Sequence, residues 1–111
     1  MVWIGLYGSI SPLSANGYPF TPVATPAIGG VQFDLAYGLN GNVKVYSFLA
    51  HSHAATRFSG DLTAFYKYLE QNFSANGFTS VLVLQDVQAG SEIFTGNKAK
   101  LTTTGYMISA S

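Results

Sequence analysis

Few side chains in this 111-residue chain can make or break a covalent bond. Cysteine is absent, which excludes thiolate nucleophiles, disulfides and cysteine–metal sites. Five carboxylates remain (Asp34, Asp61, Glu70, Asp86 and Glu92) together with two imidazoles, His51 and His53. Carboxylates working in pairs can divide general acid and base roles, so their spacing matters. Asp86 and Glu92 share strand parity, yet a regular strand at about 3.4 Å per residue holds them roughly 20 Å apart. Asp34 falls within a hairpin, Asp61 at a helix start and Glu70 on the outer side of that helix. Spacing brings no second acid to Glu92. His51 and His53 would share one face of a strand, as metal ligands often do, but no third ligand is in view. A surface pair is the plainer reading, and neither metal nor cofactor is expected.

The elements that hold these groups follow from composition and turn signals. Five Lys+Arg balance five Asp+Glu, giving formal zero charge. Hydrophobic residues make up 48% and charged residues only 9%, enough apolar material for one core in one domain, residues 1–111. Disorder needs low hydropathy and high net charge, and both are missing. Five scattered cations cannot make the clustered phosphate contacts of a nucleic-acid binder. No apolar run approaches the roughly 18 residues of a membrane helix. The start, Met1-Val2-Trp3-Ile4-Gly5-Leu6-Tyr7-Gly8, reads as a strand and lacks the charged and apolar regions of a signal peptide.

Ser9 to Pro26 is rich in Ser, Pro, Gly and Asn and reads as loop with at most short edge pieces. Val31 to Tyr37 alternates, with Val31, Phe33, Leu35 and Tyr37 on one side and Gln32, Asp34 and Ala36 on the other. Asn40-Gly41 predicts a tight type I′ turn. Val43 to Ala50 returns with apolar residues on both faces, as a central strand should. One helix is predicted at about residues 60–72, capped by Ser59-Gly60-Asp61 and carrying Leu62, Phe65, Leu69 and Phe73 at helical spacing. Asn76-Gly77 closes it. Residues 79–89 and 98–110 read as further strands, separated by a turn. Asn72-Phe73-Ser74 is a glycosylation sequon.

Two stretches decide the functional reading: Met1-Val2-Trp3-Ile4-Gly5-Leu6-Tyr7-Gly8 and Gln88-Ala89-Gly90-Ser91-Glu92-Ile93-Phe94-Thr95-Gly96. With Gly29-Gly30, Asn40-Gly41, Val45-Tyr46-Ser47-Phe48-Leu49-Ala50 and Phe58-Ser59-Gly60-Asp61-Leu62 between them, the chain resembles the endoglucanases and xyloglucanases of glycoside hydrolase family 12. Six segments agree in order and approximate spacing. The resemblance implies an all-β fold, part of a concanavalin-like jelly-roll sandwich of antiparallel strands with one outer α-helix. It also implies that these residues are the C-terminal half of the family's domain.

The family consists of retaining glycosidases, which need two carboxylates about 5–5.5 Å apart, a nucleophile and a general acid/base. Glu92 matches the acid/base position. The family motif has Thr before it and Pro after it, where this chain has Ser91 and Ile93. The nucleophile lies two positions before the Met that corresponds to Met1, so it is expected outside these residues, and the chain alone is expected to be inactive. Met1, Trp3, Gln88 and Phe94 match substrate-facing positions. Composition alone makes Trp3 a core residue, whereas the motif makes it a platform stacking on a pyranose. Gln88 has the parity of Glu92, although a solvated side chain is an equal reading. Ser11-Pro12-Leu13 matches a loop that arches over one cleft end. The implied partner is a β-glucan or xyloglucan chain, met outside the cell. Exposed strand edges would favour self-association. Two alternatives stand beside hydrolysis: a non-catalytic paralogue engaging a host glucanase inhibitor or receptor, and a glucan-binding remnant using Trp3.

Overall fold

The computed structural model of the protein describes residues 1–6, 8, 10–55 and 58–78. Four strands form one sheet: β1 (Val2–Trp3), β2 (Ala27–Ile28), β3 (Val31–Asn40) and β4 (Val43–Ala50), in the order β1-β4-β3-β2. One helix, α1 (Thr63–Phe73), follows and runs into a short 3-10 turn at Ser74–Asn76. The expected strands at 79–89 and 98–110 lie outside the described residues.

The alternation in β3 sorts its side chains as expected. Phe33 and Leu35 are fully buried and join Tyr46, Phe48 and Ala50 of β4 beneath Phe65 and Leu69 of α1. Phe33 is the hub: its ring meets Phe48, Phe58 and Phe65 edge-on, at centroid distances of 6.3, 6.0 and 5.2 Å. Such edge-to-face pairs add about 0.5–1.5 kcal/mol each beyond burial. Tyr46 continues the layer against Tyr37, Phe73 and Phe78. Its hydroxyl accepts a bond from Asn76 Nδ2 at 2.6 Å, and burial raises its ionisation above the ordinary 10.0 in spite of that bond.

The helix begins at Thr63, slightly later than predicted, because Asp61 uses its side chain outside the helix. Asp61 Oδ1 accepts the Thr63 N–H at 2.9 Å and the Asp61 carbonyl accepts the Ala64 N–H at 3.0 Å. The Thr63 backbone N–H, then its hydroxyl, hold the Asp61 carboxyl below its ordinary 3.8. At the far end Gly77, at φ +92°, donates its N–H to the Ser74 carbonyl and closes the element as expected.

Three local features refine or correct the sequence reading. First, Asn40 pairs with Val43, so the central residues of the β3–β4 turn are Gly41 and Asn42. Only Gly41 has positive φ (+62°), the pattern of a type II′ turn rather than I′. The I′ pattern occurs instead between β2 and β3, where Gly29 and Gly30 both have positive φ. Second, the segment read as loop with short edge pieces is tied to β3: Leu35 exchanges backbone bonds of 2.9 Å with Val23 and Ala24, and Ala15 donates to the Tyr37 carbonyl. Third, the expected antiparallel pairing holds for β2–β3–β4, but β1 runs parallel to β4. Parallel partners require a long crossover, and the chain through residues 4–42, with β2 and β3 inside it, supplies one.

Two outcomes test this packing. Phe33→Ala should lower unfolding free energy by about 3–5 kcal/mol, seen as a lower urea midpoint at nearly constant slope. A depressed carboxyl pKa stabilises fully above the unfolded value and loses that effect as pH falls through the folded value. Asp61→Asn should therefore lower the thermal midpoint at pH 7, with the gap to wild type closing as pH is taken below 3.8.

Candidate functional site

The sheet has two faces with different tasks. The α1 side is filled by the aromatic layer. On the opposite side the register sets Trp3 beside Leu49 and Leu49 beside Asp34, in one row across β1, β4 and β3. Leu49 and Ser47 make a closed floor, 1% and 0% exposed, and among the described residues the Ser47 hydroxyl has no hydrogen-bond partner. Trp3 is half-buried and is not among the residues of the core cluster. Met1 shares its parity. Its side chain is exposed, and its carbonyl accepts the Phe48 N–H at 2.8 Å.

The two ends of this face are built differently. At the hairpin end Leu13 lies over Gly38, where an added Cβ would come within 2.9 Å of Leu13 Cγ. Glycine is required there by close approach rather than by φ, and the Ser11-Pro12-Leu13 segment does fold onto this end of the sheet. At the other end His51 Nδ1 stands 3.0 Å from both carboxylate oxygens of Asp34. The sequence reading had set aside both residues. β4 ends at Ala50 and His53 has φ +61°, so the two histidines are not strand neighbours. Among the described residues no three His, Cys, Asp or Glu side chains come together as a metal site. Glu92, Gln88 and Phe94 lie outside the described residues, so Met1 and Trp3 are the predicted site positions that this geometry brings together.

A sheet backed by an aromatic layer and one helix has a counterpart among solved structures. The catalytic domain of Humicola grisea Cel12A, solved with a soaked thio cellotetraose, superposes with a TM-score of 0.57 at 37% identity, covering 66% of this chain and 30% of that one. The fold is therefore the jelly roll of that enzyme class. The chain belongs to glycosyl hydrolase family 12, whose model matches residues 1–111. A probable xyloglucan-specific endo-β-1,4-glucanase A of Aspergillus fumigatus is 45% identical over 98% of this chain. The xyloglucan-specific endo-β-1,4-glucanase A of Aspergillus aculeatus is 44% identical over the same share. The chain spans 43% of the length of each of these two relatives.

If Trp3 is a surface platform and Leu49 the floor, truncating them should have unequal effects on folding. Leu49→Ala should cost about 2–5 kcal/mol, and Trp3→Ala about 1 kcal/mol or less, both read from urea denaturation.

Proposed function

We propose that this chain is the C-terminal part of a retaining endo-β-1,4-glucan hydrolase that cleaves xyloglucan, with Glu92 as its general acid/base. The observation that carries the reading is the 45% identity, over 98% of the chain, to a probable xyloglucan-specific endo-β-1,4-glucanase. The placement of Trp3 and Met1 on the face away from the helix supports it, since a flat indole stacks well on the apolar face of a pyranose.

The chemistry is a double displacement. A nucleophilic carboxylate attacks the anomeric carbon while Glu92 gives its proton to the departing glycosidic oxygen. Glu92, now a carboxylate, then takes a proton from the water that attacks the same carbon and releases the nucleophile. The second carboxylate comes, on the family pattern, from the strand residue two positions before Met1. Residues 1–111 alone thus hold one of the two acids and do not hydrolyse glucan. Polymeric glucan cannot cross a membrane, so the protein works outside the cell.

Joining residues 1–111 to the preceding segment of the Aspergillus aculeatus relative should give a chimera that releases reducing ends from xyloglucan. Glu92→Gln in the chimera should lower kcat by at least about a hundredfold, and residues 1–111 alone should show no turnover. A chimera indifferent to Glu92, or turnover by the short chain, would overturn the assignment.

A further inference from the structure

Beside the Asp34–His51 contact lies an open depression of about 460 Å³, within the roughly 300–1,000 Å³ range of small-ligand sites. The start of β3, Gly30 to Gln32, forms one side, and the turn from His51 to Ala55 forms the other. This turn is anchored to the continuation of β1. Leu6 N–H donates to the His53 carbonyl at 2.8 Å, Ala55 N–H donates to the Ile4 carbonyl at 2.7 Å, and Gly5 bridges Ala54. The strand carrying Trp3 and the wall carrying His51 are thus one hydrogen-bonded unit.

The dyad is unequal in a useful way. The Asp34 side chain is 13% exposed, whereas that of His51 is 62% exposed. A carboxylate offers acceptors only, so the hydrogen in this contact sits on Nδ1. In the Nδ1–H tautomer, Nε2 on the far side of the ring is an acceptor in a fixed orientation. The Gln32 amide and the Ser52 hydroxyl add donors and acceptors to the same depression. A single ring bearing several hydroxyls matches this set better than a charged or purely apolar ligand does.

We propose that the depression seats one pyranose unit of the glucan chain. His51 Nε2 accepts a sugar hydroxyl, and Asp34 acts as the positioning residue that fixes the tautomer and angle of the imidazole. This rests on the glucan reading above and extends the binding face beyond Trp3 to the turn after β4.

The test uses the 111-residue chain, cellotetraose and NMR of the imidazole groups, of which there are only two. The ring resonances absent from His51→Gln should move saturably during titration, while those of His53 stay in place. Asp34→Asn should weaken the midpoint about tenfold and change the nitrogen shifts that report the His51 tautomer, with the thermal midpoint unchanged. Trp3→Ala should weaken binding as well. Binding that depends on Trp3 yet leaves His51 undisturbed would overturn this subsite and leave the glucan reading standing. Unchanged affinity and tautomer in Asp34→Asn would overturn the role of Asp34. No binding by the wild-type chain would overturn the subsite, while the hydrolysis of xyloglucan by the chimera decides the glucan reading separately.

Discussion

The position of β4 between β1 and β3, buried on both faces, is the constraint on which the rest depends. Tyr46, Phe48 and Ala50 face the helix, Ser47 and Leu49 face away, and all five are buried. A strand in that position has both edges hydrogen-bonded and both surfaces covered, which β-branched and aromatic residues tolerate well and charged ones do not. Val45-Tyr46-Ser47-Phe48-Leu49-Ala50 contains no charge at all. Its fixed place sets the register of β3 on one edge and of β1 on the other, and through them the row of Trp3, Leu49 and Asp34.

Separating the two faces divides labour within the fold. The helix side consists of rings meeting at centroid distances of about 5–6 Å, where interdigitated packing supplies stability. The opposite side carries fewer and more polar groups, positioned by that packing without taking part in it. Burying Phe65 and Leu69 of α1 against Phe33 and Phe48 keeps the sheet rigid behind the opposite surface. Groups carried on a rigid element hold their orientation better than groups on a loose one.

Much of this was legible in the residues. Period-2 alternation in Val31 to Tyr37 gave the buried side of β3, and the Leu62, Phe65, Leu69 stripe gave the inner side of the helix. Capping by Asp61 and closure at Gly77 were also visible, because each rests on local chemistry. Non-local geometry was less so. The parallel seat of β1 depends on which edge of β4 is open, which no window of sequence encodes. The turn was harder still, since Asn40-Gly41-Asn42 permits two placements of the two-residue loop. Centring it on Asn40-Gly41 opposes Asp34 to Ser47; centring it on Gly41-Asn42, as observed, opposes Asp34 to Leu49 and brings His51 within reach. Following the alternate register to the end of the hairpin would have exposed the dyad. Glu92, Gln88 and Phe94 are assigned by motif resemblance, and their positions lie beyond the described residues.

Both ends of β3 stop in two-residue turns, Gly29-Gly30 and Gly41-Asn42, and an added Cβ at Gly29 would stand 3.0 Å from the Phe58 ring. Sliding β3 by one position would exchange its faces, exposing Phe33 and driving Asp34 into the ring layer. The tight turns forbid that slide from both directions. Inserted residues are therefore better tolerated at the solvent-exposed tip from Ala15 to Pro19, where they leave the inside–outside code of the sheet untouched.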